Sequence, residues 1–104
     1  MILILKHKWF DMIASGVKRE EYRALTPHYK RMLTRFNMKD PKDRVIEFRC
    51  GYTKTAVKVR GMAWFIMSEI DLEVCRSMGR EFRPEWGYDG SKRLIVIALG
   101  EIVK

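Results

Sequence analysis

The sequence predicts an α+β fold that is mostly β, a small barrel of five or six strands with two or three helices plugging its openings. Three observations predict it. Short apolar runs with strand character recur along the chain, and two segments instead carry apolar residues at helical spacing. The composition of the 104 residues, 47% hydrophobic and 33% charged, is that of a folded globular chain. A chain of this length forms one domain, residues 1–104, able to bury its own core.

Taken in order, residues 2–5 (Ile-Leu-Ile-Leu) read as a buried first strand. Residues 8–15 read as a first helix, with Trp9, Phe10, Ile13 and Val17 at helical spacing and Gly16 where a helix ends in a left-handed residue. Residues 21–25 form the second strand. Thr26-Pro27 then opens a second helix, with Thr26 at the cap and Pro27 at the first helical position. This helix runs to about Phe36, its apolar side made by Tyr29, Met32, Leu33 and Phe36, and it is the most basic of the chain. After a turn-rich connection through Asp40-Pro41, residues 44–50 and 56–67 read as strands around a turn at Gly51-Tyr52, with Gly61 marking a bulge or bend. Residues 70–78 fit either a strand end or a short helix. Residues 79–90, with Phe82, Pro84, Trp86, Gly87, Tyr88 and Asp89-Gly90, read as a long aromatic loop lying over the domain. Residues 94–99 are a continuous apolar run rich in β-branched side chains, the mark of a central strand, which residues 101–103 extend past Gly100. Trp9, Phe10, Phe36, Phe48, Trp64 and Phe65 follow the apolar periodicity and are expected in the core.

The chemistry concentrates between the first helix and the second strand. Gly16, Lys18, Glu21 and Arg23 stand at the spacing G-x-K-x-x-E-x-R. Glu21 and Arg23, two apart on a strand, share a face, and Lys18 joins them if the turn at Arg19-Glu20 breaks the alternation. An ammonium, a carboxylate and a guanidinium then meet in one small volume. Lys18 has the greatest chemical potential of the three, since a cation-flanked or buried lysine can serve as base or nucleophile. A carboxylate in reach, Glu21, suits ligand binding better than attack. A purely bracing ion-pair network is the alternative.

Charge is divided unevenly. Residues 1–60 hold fifteen Lys or Arg against six Asp or Glu, whereas residues 61–104 hold six against seven. The basic excess lies in the half that carries the signature, as expected of a face that meets phosphate. Lys6, His7 and Lys8 crowd the positive end of the first helix, a conflict an anion would relieve. Tyr22, Tyr52, Trp86 and Tyr88 offer rings to a base, and Arg49 offers a guanidinium to a base face or a phosphate.

Lys6 before the first helix, then Gly16, Lys18, Glu21 and Arg23 in sequence, resembles the ASCH domain family, whose barrel is similar to the PUA domain of RNA-binding proteins. The resemblance covers nearly the whole chain. It implies a cleft beside the first helix, lined by Lys18, Glu21 and Arg23, that binds RNA or a nucleotide-derived ligand; together with the cations and rings read above, the expected binding residues are Lys6, Lys18, Glu21, Arg23, Arg49, Tyr52, Trp86 and Tyr88, with Gly16 as the turn. The family also includes small amidohydrolases acting on an acylated cytidine and members reported to cut RNA, for which Lys18 and Glu21 would be the catalytic pair. Those amidohydrolases have Thr where Glu21 stands, and they use a downstream Glu for which Glu69, Glu81 and Glu85 are the choices here. The expectation is therefore an RNA- or modified-nucleoside-binding module, with a small hydrolase as the alternative and an adaptor for an acidic protein partner through the basic second helix as a third reading.

Other classes find no foothold. Cys50 and Cys75 lie far apart and are expected reduced, and no His/Cys spacing suits a metal. No P-loop, dinucleotide-binding glycine signature, zinc-hydrolase motif or nucleophile elbow occurs, so no cofactor is expected. Residues 2–5 are too short for a signal-peptide core and no run approaches a membrane span, so the chain is expected to be cytoplasmic, off the membrane, and is taken as a monomer.

Overall fold

Eight elements are seen in the computed structural model, which describes residues 1–103: β1 (Ile2–Leu5), α1 (His7–Ala14), β2 (Glu20–Ala24), α2 (Pro27–Asn37), β3 (Val45–Cys50), β4 (Ala56–Ile66), α3 (Glu69–Ser77) and β5 (Leu94–Val103). Short 3-10 turns at Pro41–Asp43 and Pro84–Trp86 complete the chain. The five strands form one curled, half-barrel sheet in the order β1-β3-β4-β5-β2, parallel at β1–β3 and antiparallel elsewhere. The count is the lower of the two expected, and residues 101–103 continue β5 through Gly100 as expected. β1 and β2 are the two edges, and no ladder joins them.

The concave side is filled by α1 and α2. Phe10 and Ile13 of α1 and Leu33 and Phe36 of α2 are buried against Leu3, Leu5, Ile46, Phe48, Val59, Ile95 and Ile97. α2 starts as expected, with the Tyr29 amide donating to Thr26 Oγ1 at 3.1 Å and Pro27 in the first turn. At its other end Asn37 supplies both halves of a peptide-like pair to Ala63, donating to the carbonyl at 2.7 Å and accepting from the amide at 2.9 Å. This occupies β4 where β3 no longer runs beside it, since the β3–β4 register starts at Val45↔Arg60.

A second, smaller core lies on the convex side. Ile66, Leu72, Leu94 and Val96 are buried there beneath α3 and the 79–90 loop. The ambiguous segment is therefore a helix, and Ser68 caps it by accepting from the Asp71 amide at 3.4 Å. β5 lies between β4 and β2, and Leu94, Ile95, Val96 and Ile97 are all buried, as a strand covered on both faces requires. Opposite Gly61 the ladder is irregular: two steps along β4, Val59 to Gly61, face three along β5, Ile102 to Leu99. The extra residue falls on β5, and Gly61 itself is packed so closely that a Cβ would lie 3.1 Å from the Ala98 carbonyl.

Two expectations are corrected. Val17 is exposed, because α1 stops at Ala14 and the helical spacing does not reach it. Trp64 faces outward from β4, with the Arg80 guanidinium stacked 3.5 Å from its ring centroid.

The turn that aims Lys18 depends on Gly16, which adopts φ +80° just past the Ser15 cap while its amide returns to the Ile13 carbonyl at 3.0 Å. Nothing lies within 4 Å of the position a Cβ would take, so the constraint is backbone conformation alone. Gly16→Val is expected to cost more than about 1 kcal/mol in urea denaturation, with Gly16→Asn costing less because Asn tolerates the left-handed region.

Candidate functional site

Lys18, Glu21 and Arg23 meet as the spacing requires. Glu21 and Arg23 point to the concave side of β2, and Lys18, whose amide donates to the Met12 carbonyl at 2.9 Å, swings in from the turn. Glu21 lies between the two cations, with Oε1 at 2.9 Å from Lys18 Nζ and Oε2 at 2.9 Å from Arg23 Nε. Lys18 is 2% exposed and Glu21 4%, so this is a buried network rather than a surface pair.

Each cation then reaches two further segments. Lys18 Nζ donates to the carbonyl of Trp86 in the aromatic loop and sits 4.6 Å from the Trp9 ring centroid on α1. Arg23 Nη2 donates to the Ile4 carbonyl of β1 at 3.0 Å, and Nη1 to the Tyr29 hydroxyl of α2 at 3.2 Å. Among the described residues no buried side-chain polar atom lacks a partner.

Over this network opens a cleft of about 370 Å³ at the seam between β1 and β2. Lys6, Lys18, Glu21, Tyr22, Arg23 and Trp86 line it, six of the residues expected from the sequence. Trp9 and Tyr29 line it too. The sequence pattern places them in the core and on the apolar side of a helix, because periodicity registers only that a residue faces inward. The usable signals were Trp9 three residues after Lys6 at the start of one helix, and Tyr29 just inside the Thr26 cap of the other. Lys6 is exposed at the N-cap of α1, whose first turn holds no carboxylate.

Other expected site residues lie elsewhere. Arg49 pairs with Glu47 on β3 at 2.6 Å, and Tyr52 is 96% exposed in the β3–β4 turn; neither lines the cleft. Tyr88 packs in the convex core, its ring 5.7 Å from Tyr22 and 5.5 Å from Phe82, and its hydroxyl donates to the Ser91 carbonyl at 2.7 Å. It pins the loop down. None of the three downstream glutamates lines the cleft: Glu69 pairs with Lys92, Glu85 with Arg83 at 3.3 Å, and Glu81 is exposed. Cys50 and Cys75 are unbridged, and no group of three or more His, Cys, Asp or Glu among the described residues is placed to hold a metal ion. No described helix is long and apolar enough to cross a membrane.

On the opposite face of β2, Tyr22 and Glu20 anchor the same loop. The Tyr22 hydroxyl donates to Glu20 Oε1 at 2.9 Å and accepts from the Arg83 amide at 2.9 Å, while Arg80 reaches Glu20 Oε2 at 3.2 Å. Burial, reinforced by the carboxylate of Glu20, pushes the Tyr22 hydroxyl above its ordinary value of 10.0 although the Arg83 amide pulls the other way.

Two predictions follow from these contacts. Lys18→Met, which strips a buried carboxylate of one of its two cations, is expected to lower stability by about 3 kcal/mol in urea denaturation. The double variant Lys18→Met/Glu21→Leu should recover none of that loss, because Arg23 is then left without its carboxylate. The second concerns pH. Since folding raises the Tyr22 value, its neutral form contributes stability in full below about pH 10 and loses it as pH climbs through the folded value. The urea midpoint should fall above pH 10, Tyr22→Phe should flatten that fall, and phenolate absorbance should show one of the four tyrosines staying neutral until the chain unfolds.

No protein-family model, no curated protein and no solved structure matches the chain.

Proposed function

We propose that this chain binds single-stranded RNA or a modified nucleoside in the cleft between β1 and β2. The observation that carries the reading is a cleft of nucleotide size whose floor is a fixed Lys18–Glu21–Arg23 network and whose walls are aromatic, Trp9, Tyr29 and Trp86. Single-stranded RNA is recognised by splaying a base onto aromatic rings or a guanidinium plane while cations hold the neighbouring phosphate. Arg23 and the rings supply the first requirement. Exposed Lys6, at the positive end of α1, supplies the second.

Geometry favours binding over hydrolysis. Lys18 Nζ is engaged by the Glu21 carboxylate, the Trp86 carbonyl and the face of Trp9, which commits its hydrogen-bonding directions within the protein rather than to the cleft. The role left to Lys18 is to fix Glu21 and Trp86 in place.

Titration of a short labelled oligouridine, with tryptophan fluorescence quenching by single nucleosides alongside, tests the reading. Binding is expected at low salt, with log affinity falling against log salt by about 0.7 per phosphate contacted. Lys6→Met is expected to weaken binding roughly tenfold, the scale of one charge-assisted hydrogen bond, without loss of stability. Lys30→Met on α2 removes the same charge away from the cleft and should act only through the general field. Absence of binding to both probes, or equal losses in the two variants, would overturn the assignment.

A further inference from the structure

A second concave surface lies apart from the cleft, between β1 and α2. It is a groove of about 400 Å³ whose apolar lining includes Ile2, Met32 and Phe36 and whose rim carries Arg31, Arg35 and Lys39. No carboxylate lines it, and none of the three rim cations has a salt-bridge partner among the described residues. The basic character of the second helix is thus concentrated against an apolar trough, a use to which the RNA-binding reading does not put it.

β1 is the edge of the sheet on this side. The Met1 and Leu5 carbonyls accept from Glu47 and Gly51, at 2.8 and 2.7 Å. Successive peptide groups of a strand point to opposite sides, so those of Ile2 and Ile4 point away from β3. Arg23 takes the Ile4 carbonyl, while that of Ile2 receives no hydrogen bond from α2 or its side chains. The Ile2 and Ile4 side chains are 48% and 41% exposed. An edge strand with open main-chain groups and exposed isoleucines is a template for another extended segment.

We propose that this groove docks an extended acidic peptide, pairing beside Ile2 with apolar side chains in the trough and carboxylates on the rim. The spacings agree. Arg31 and Arg35 are four apart on a helix and rise about 6 Å, with Lys39 four further on just past the helix end, while alternate residues of a strand advance about 6.7 Å. A peptide alternating acidic and apolar residues therefore meets the cations with one set of side chains and the trough with the other. An RNA strand could use the cations but has no use for the trough, and His28 is the single exposed ring along it.

Fluorescence anisotropy with a short labelled peptide alternating Glu and Val tests this. The controls are the same peptide with Gln for Glu, the same peptide with Ser for Val, and oligouridine. The Glu/Val peptide should bind at physiological ionic strength, and each control peptide about tenfold more weakly or worse. Arg31→Glu/Arg35→Glu, on the exposed side of α2, should weaken the Glu/Val peptide by about tenfold or more, whereas Lys58→Glu on β4 should hardly change it. Oligouridine should be affected far less by the α2 pair than by Lys6→Met, so failure of either assignment leaves the other testable. Absence of peptide binding, an equally tight Ser-containing peptide, or indifference to the α2 reversal would overturn the proposal. An oligouridine loss as large as the peptide's would instead mark the groove as nucleic-acid surface.

Discussion

The structure turns on the Glu21 carboxylate held between two cations. A half-barrel with β1 and β2 at its edges has no backbone ladder across the seam, and something else must hold the edges together. Glu21 orients Lys18 and Arg23, and they carry the connection outward, Arg23 to the Ile4 carbonyl of β1 and the Tyr29 hydroxyl of α2, Lys18 to the Trp86 carbonyl of the loop. Three sequence-distant segments are joined through one buried anion. Such a network is a poor source of net stability, because desolvating three charges offsets much of their attraction. It does give direction, because the carboxylate and the carbonyls that the two cations engage each lie on a different segment.

That division explains which parts of the fold were legible beforehand. β1, α2 and β5 were readable because each has a strong local signature, respectively an apolar run, a Thr-Pro cap over a periodic face, and a doubly buried β-branched stretch. The ion triad was readable because strand alternation and a glycine turn are local rules. Its second partners were not. Trp86 and Ile4 enter through backbone carbonyls, which every residue possesses, so no side-chain pattern marks them. α3 was ambiguous because Ile70, Val74 and Met78 are exposed while Leu72 and Cys75 face the core, so its strongest apolar spacing is on the wet side. The informative feature there was Ser68 three residues before Asp71, a cap signal that burial does not disturb.

Aromatic residues were the least predictable class. Trp9 and Tyr29 wall a cleft and Trp64 backs an arginine on the surface, yet all three satisfy the same apolar patterns, while Tyr88, a ring the sequence offers to a base, secures a loop. Periodicity reports that a ring turns toward protein. Whether it meets a closed core, a neighbouring guanidinium or an open cleft is decided by chain segments tens of residues away. The loop shows the consequence. Phe82 and Tyr88 are spent holding it to Tyr22, and this packing is what lets Trp86 present its carbonyl to Lys18 at the edge of the cleft.

The same economy of contacts separates architecture from recognition within the cleft. A residue whose every donor is engaged inside the protein can position a ligand site but has little left to give a ligand; Lys18 is in that state, and so is the Glu21 carboxylate with an ion pair on each oxygen. Lys6, exposed at the cap of α1, has no such commitment. The rigid charges at the floor would therefore set the electrostatic field and the shape, and on the proposed reading the contacts that discriminate between ligands fall to the flexible cation at the rim and to the rings. On the same reading a ligand would meet the buried charges already in place, and ordering Lys6 would be the main conformational cost left to binding.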